Sequence, residues 1–129
     1  MNDRPHALEL LRSVHHTLAQ EILPGAKPEQ LYTLRMIANA LGIVTRELES
    51  HDTDAAAETR GLNALYGESQ ESGKLHARNR QFAQDLRRGL FERSSAQEAE
   101  LRQHLLSVAR AKLAVAYPKG LTGIIKNYV

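Results

Sequence analysis

Apolar residues recur at helical spacing along almost the whole chain, and the breaks between them fall at proline, glycine and capping residues. In the first stretch Ala7, Leu10, Leu11, Val14, Leu18 and Ile22 return every three or four residues, the spacing that lines up one face of an α-helix. Pro5 suits the first helical turn, where its missing N–H removes no bond, and Asn2 or Asp3 is the expected cap. Pro24-Gly25 stops this helix. A second helix is predicted over about residues 28–50. Leu31, Leu34, Ile37, Ala38, Leu41, Val44 and Leu48 form its apolar face, and Met36, Ala40 and Ile43 widen it. A helix apolar on most sides belongs in an interior, so this one is expected to be the buried centre of the fold.

Ser50-His51-Asp52-Thr53-Asp54 is rich in capping residues and predicts a loop before a short third helix over residues 55–66. Residues 67–73 are polar, contain two glycines, and predict an exposed loop. The fourth helix is predicted over residues 74–90, with Leu75, Phe82, Leu86 and Leu90 as its seam. Ser95-Ala96-Gln97-Glu98 has the form of a capping box and opens a fifth helix over residues 96–116, ended by Pro118 and Gly120. Strand patterning is weak throughout. The expected fold is therefore all-α: a single-domain bundle of about five helices with a buried central second helix, spanning residues 4–118. The tail, residues 119–129, carries Leu121, Ile124, Ile125, Tyr128 and Val129. It is too apolar for a plain disordered end and is expected to pack on the bundle or to meet another chain.

Composition narrows the function classes. A chain of 129 residues buries roughly two-thirds of its unfolded surface and needs no disulfide or metal staple. With two Phe, four Tyr and no Trp, its core is expected to be mostly Leu, Ile, Val and Ala, and a base-stacking platform or aromatic cage is disfavoured. The absence of cysteine removes thiolate chemistry and fits a reducing compartment, so a cytoplasmic location is expected. Residues 1–11 alternate charged and apolar side chains, unlike a signal peptide, and no segment approaches the roughly 20 apolar residues of a membrane span. The net charge is only +2. Arg78, Arg80, Arg87, Arg88 and Arg93 diverge around the fourth helix and are interrupted by Asp85 and Glu92. That is a solvated face rather than the coherent basic stripe a nucleic acid requires.

Arg35, Asn39, Gly42 and Arg46 fall in one narrow stripe of the second helix. Guanidinium groups present a planar fork that holds a carboxylate or phosphate, and a glycine admits close approach of a ligand or backbone. The stripe is accordingly a candidate ligand- or partner-binding site. The competing reading has the same side chains bonded to internal carboxylates and carbonyls, as buried polar groups usually are. Lys112 falls within the expected apolar face of the fifth helix, Leu101, Leu105, Val108, Val115 and Ala116. A buried ammonium needs a partner, and Glu47 is the first candidate for a structural ion pair, with Glu21 second. Of the six histidines, His15 borders the apolar face of the first helix and is expected to be packed and hydrogen-bonded. Glu100 and His104 stand one turn apart, a spacing expected to give a surface contact. No HxxxH or HExxH pair exists, so no metal site is expected. Neither a phosphate loop nor a nucleophile elbow is present. No cofactor is therefore predicted, and a non-catalytic role is favoured over an enzyme.

The stretch Arg35-Met36-Ile37-Ala38-Asn39-Ala40-Leu41-Gly42-Ile43-Val44-Thr45-Arg46-Glu47-Leu48 resembles the signature of a bacterial family of small all-helical domains of unknown function. Arg4-Pro5-His6-Ala7 with Glu9-Leu10-Leu11 is similar to the start of that family, and Arg110-Ala111-Lys112-Leu113-Ala114-Val115-Ala116-Tyr117-Pro118 to its end. The resemblance covers about residues 4–118. Tyr117 departs from it, standing where Asn is usual, and the apolar tail is longer. Members are found beside or fused to phosphotransferases of the aminoglycoside/choline kinase-like type. The resemblance therefore implies an accessory or regulatory role, with a kinase-like phosphotransferase as the protein partner and a homo-oligomer as another way to cover apolar surface. It carries no catalytic residues. Its recurring polar positions correspond to Arg35, Asn39, Arg46, Glu47 and Lys112.

Overall fold

The computed structural model describes residues 5–71, 74–91 and 94–128, with side chains to residue 123. Among these residues the chain forms five α-helices and no strand: α1 (Ala7–Thr17), α2 (Pro28–Tyr66), α3 (Leu75–Arg87), α4 (Ser95–Ala116) and α5 (Pro118–Tyr128). The all-α class follows the periodicity of the sequence, while the division into helices differs from it in two places. Residues 50–54 are helical, so the expected second and third helices are one element of 39 residues. Ser, Asp and Thr favour caps, yet each costs only up to about 0.7 kcal/mol inside a helix, far less than proline. With no Gly or Pro across residues 43–60, nothing stops the helix there. The fifth helix is instead the tail, which is helical from Pro118 to Tyr128.

The helix ends have identifiable chemistry. α1 begins at Ala7, where the Glu9 carboxylate accepts the His6 N–H at 3.2 Å. Pro5 precedes the helix, and Asn2 and Asp3 lie outside the described residues. A π-helical turn (Leu18–Ile22) and a 3-10 turn (Leu23–Gly25) follow it. Pro28 then opens α2 at the position that needs no N–H. Gly67, at φ +65°, ends α2, and the Glu68 N–H donates back to the Asn63 carbonyl at 3.1 Å. Gly89 does the same for α3 at φ +68°, with Leu90 donating to the Asp85 carbonyl. These are two Schellman closures, and each uses glycine because a Cβ opposes the left-handed conformation. α4 is capped by Ser94, whose hydroxyl accepts the Gln97 N–H at 3.2 Å. The capping residue thus stands one position before the expected one.

The chain divides into two compact units, residues 1–50 with 115–117, and residues 51–114 with 118–129. In the second unit the core is Leu62, Leu65, Phe82 and Phe91, with Tyr66, Leu75, Leu86, Leu90 and Leu101 packed around it. Both phenylalanines of the chain are in this core. Tyr66 meets Phe91 edge-on at 5.4 Å between centroids, and Phe91 meets Phe82 at 5.6 Å. Leucine supplies most of this core, as expected, and the few aromatics are placed together within it. His104 completes the set, T-shaped against Phe82 at 5.3 Å and only 5% exposed.

The first unit is built differently. Its buried positions on α2 are Ala38, Gly42 and Thr45, all small. The burial expected along the rest of that helix is not found, since Met36, Ile37, Ala40, Val44 and Leu48 are exposed. The apolar face is wider than the elements packed on it can cover. Buried Thr45 meets its polar requirement locally, its hydroxyl donating to the Leu41 carbonyl at 2.7 Å.

A Cβ added at Gly61 would overlap the His104 ring, lying within contact of Nδ1 and 2.9 Å from Cε1. Because that ring is held against Phe82, it has nowhere cheap to go. Gly61→Ala is therefore expected to destabilise by about 1–2 kcal/mol, overpacking outweighing the roughly 1 kcal/mol helix-propensity gain. In a His104→Ala background the same substitution should instead stabilise. Urea denaturation of the four proteins in the cycle measures both signs.

Candidate functional site

The hairpin formed by α1 and the first half of α2 carries the residues singled out in the sequence. Its helices run antiparallel, since Arg12 bonds Glu49 while His15 lies over Gly42. Arg12 Nε and Nη2 both donate to Glu49 Oε1, at 2.8 and 2.5 Å. This ion pair, missed in the sequence, is largely exposed and contributes little to stability.

Of the polar stripe, Arg35 and Asn39 are exposed and Arg46 is half-buried. Arg46 Nε donates to the Val115 carbonyl at 2.8 Å. That carbonyl is in the last turn of α4, where carbonyls lack helical partners and a cation is favourable. Arg46 Nη1 also lies 3.1 Å from where a Gly42 Cβ would stand. The structure therefore brings Arg46, Gly42, His15 and Val115 together, and leaves Arg35 and Asn39 at the surface without a side-chain hydrogen bond among the described residues.

Lys112 and Glu47 are both exposed, which corrects the expectation of burial. α4 turns Leu101, His104, Val108, Ala111 and Val115 inward, and Leu105 and Leu106 stand 43% and 48% exposed. The inward face is rotated by one position relative to the face expected from aliphatic residues, because His104 occupies a core position. Lys112 consequently rides on the outer side, and its ammonium carries no desolvation penalty that would demand Glu47.

The second unit holds buried Asp85 and His104. Asp85, 6% exposed, accepts Tyr66 Oη at 2.5 Å on one oxygen and Gln81 Nε2 at 2.9 Å on the other. Burial and the bond to Asp85 push the Tyr66 hydroxyl well above the usual tyrosine range. The phenol stays protonated as a donor, so the group joins α2 to α3 rather than supplying a base or nucleophile. Burial also pushes His104 below the ordinary histidine value of 6.5, opposed by the Glu58 carboxylate. Glu58 in turn accepts from Asn79 Nδ2 at 2.8 Å. The carboxylate that matters to His104 is therefore Glu58, not Glu100, which is exposed. A glycine in mid-helix at Gly61 is the sequence signal for a bulky neighbour there.

Among the described residues, no three His, Cys, Asp or Glu side chains gather as a metal site would require, and no helix is long and apolar enough to cross a membrane. A shallow, mostly apolar cleft of about 300 Å³ runs along Ser13, Val14, Thr17, Leu18 and Ile22. The wider π turn brings Ile22 round to the side of Val14 and Leu18.

Two outcomes follow. Because folding depresses the His104 pKa, the unfolded chain binds the extra proton more readily. Stability present above pH 6.5 is then lost as pH falls, by at most about 1.4 kcal/mol per pH unit for one group. The difference in urea midpoint between pH 7.5 and pH 5 should shrink in His104→Leu. Lys112→Met, at an exposed site, should change stability by less than about 0.5 kcal/mol in the same assay.

No curated protein and no solved structure matches this chain. One family model does match, over residues 24–120, which takes in all of α2, α3 and α4. The chain therefore belongs to the family described as "Domain of unknown function (DUF6285)".

Proposed function

We propose that this protein is a non-catalytic helical module that works by contact with another protein chain, through the apolar side of the α1–α2 hairpin. The carrying observation is that Leu10, Val14, Ile37, Val44 and Leu48 are each 43–52% exposed. Contiguous apolar surface of this kind on a helical unit marks an interaction site. Three titratable groups of the second unit support the same reading: Asp85, Tyr66 and Glu58 are held in internal bonds, so none of the three is a free acid or base. The resemblance described above adds the partner class, a kinase-like phosphotransferase in a bacterial cytoplasm, served by an accessory or regulatory domain. The rival role is binding of an acyl, phosphate or carboxylate group on the polar stripe. It rests on Arg35 and Asn39, exposed on α2, because Arg46 is already bonded to Val115.

Native mass spectrometry of the protein purified gently from its host tests this. The expected species is heavier than one chain by a further polypeptide, and the complex is lost in Val44→Glu while circular dichroism is unchanged. A kinase-like chain in that complex would identify the accessory role. A lone chain carrying a small bound mass, insensitive to Val44→Glu and lost in Arg35→Ala, would overturn the proposal in favour of the ligand site.

A further inference from the structure

We propose that the exposed side of α3 is a docking surface for the major groove of duplex DNA. This surface belongs to the second unit and is independent of the reading given for the hairpin.

The sequence sets Asp85 among the arginines of this helix and so predicts a face of mixed charge. In the folded chain that interruption does not reach the surface. Asp85 is 6% exposed, and its two oxygens accept from Tyr66 and Gln81. It is the single acid between residues 74 and 91. What this segment turns to water is four cations, Lys74, Arg80, Arg87 and Arg88, together with His76, Ala77 and two glutamines. Lys74 and Arg88 are the caps at the two ends of α3. Exposed acids on the neighbouring segments, Glu68, Glu71, Glu98 and Glu100, belong to other elements. Among the described residues, none of them is within salt-bridge distance of an α3 cation.

The order around the helix gives the surface its form. At about 100° per residue, His76, Arg80 and Arg87 fall in one row along one edge of the exposed side. Lys74 and Arg88 fall along the other edge, about 120° away on the same rule. Between the two rows lie Ala77 and Gln84, both uncharged. Arg80 Nη2 donates to His76 Nε2 at 3.2 Å, which ties that guanidinium to its own row. From Lys74 to Arg88 the basic positions run for about 21 Å, at roughly 1.5 Å per residue.

Two rows of cations beside a neutral strip match a major groove, whose walls are phosphate strands and whose floor is base edges. A helix is about 10–12 Å across with its side chains and the groove about 12 Å wide, so each row faces one wall. Gln84 then stands where an amide pairs with adenine, and Ala77 where a methyl meets thymine. Other polyanions fit this surface less well. The major groove of duplex RNA is too narrow to admit side chains. A single strand is held by stacking on aromatic rings, and the exposed side of α3 carries no Phe, Tyr or Trp. A membrane surface takes up large apolar side chains, whereas the apolar residue this side offers is Ala77. An acidic protein segment would complement one row and leave the other in water.

Fluorescence anisotropy of the full chain with a short labelled DNA duplex of mixed sequence tests this. Binding is expected with a dissociation constant of about 10⁻⁴ M or below in about 50 mM salt. With four phosphates neutralised, log K should fall against log salt with a slope of about −3.6, at roughly 0.9 per phosphate. Each of Arg80→Gln, Arg87→Gln and Arg88→Gln should make that slope shallower by about 0.9, with circular dichroism unchanged. Lys27→Gln and Lys112→Gln, at exposed cations elsewhere, should leave it as it is. An absence of binding, or a slope that ignores the three arginine variants, overturns the proposal. Tighter binding of a single strand, of anionic phospholipid vesicles or of poly-glutamate overturns it too, and names a different occupant for α3. None of these outcomes bears on the hairpin, whose contacts are read by Val44→Glu.

Discussion

The approach of His104 to Gly61 sets the second unit, because an imidazole can lie this close to a helix backbone only where there is no Cβ. Once the ring is there it meets Phe82 edge-on, and Phe82 in turn carries Phe91 and Tyr66. The side of α4 that faces inward is fixed by that contact. Leu105, Leu106 and Lys112 are turned outward as its consequence, although spacing alone would have put Leu105 in the core. Around Asp85 the polar cost of the arrangement is met locally. Tyr66 and Gln81 occupy both oxygens of buried Asp85, so no carboxylate oxygen there is left without a donor.

The first unit solves a different problem with smaller residues. Ala38, Gly42 and Thr45 let α1 lie close to α2, and close helix approach exchanges side-chain volume for backbone contact. The result is a thin structure. Large apolar side chains on α2 that would form a core in a thicker bundle stand at its surface. One unit is thus built on an aromatic centre, and the other leaves large apolar side chains exposed.

Helix content was legible in the sequence because periodicity is a property of each segment. The stops at Pro24-Gly25 and Gly67 were legible because those residues act through their own backbone. Residues 50–54 were misjudged because Ser, Asp and Thr only prefer caps; they do not forbid a helix, and whether α2 continues is decided by what it packs against further on. The face of α4 was misjudged for a related reason. A pattern search that counts aliphatic residues gives His104 to the surface, and only the pairing of that histidine with a mid-helix glycine 43 positions away reveals otherwise. Burial of Lys112 was inferred from that same misplaced face, so the two corrections are one.

Arg35 and Arg46 show where such reasoning stops. They share a stripe on one helix, with the same side chain and the same spacing rule, yet one is exposed and the other donates to Val115. The difference lies wholly in the end of α4, whose unpaired carbonyls attract the guanidinium that happens to stand level with them. Periodicity can put a group on a face; it cannot say what arrives opposite. The same limit applies to the apolar side of the hairpin, where spacing defines a seam but not what lies opposite it. A ligand for the polar stripe would have to be held by Arg35 and Asn39 against water, without the third group that spacing had promised.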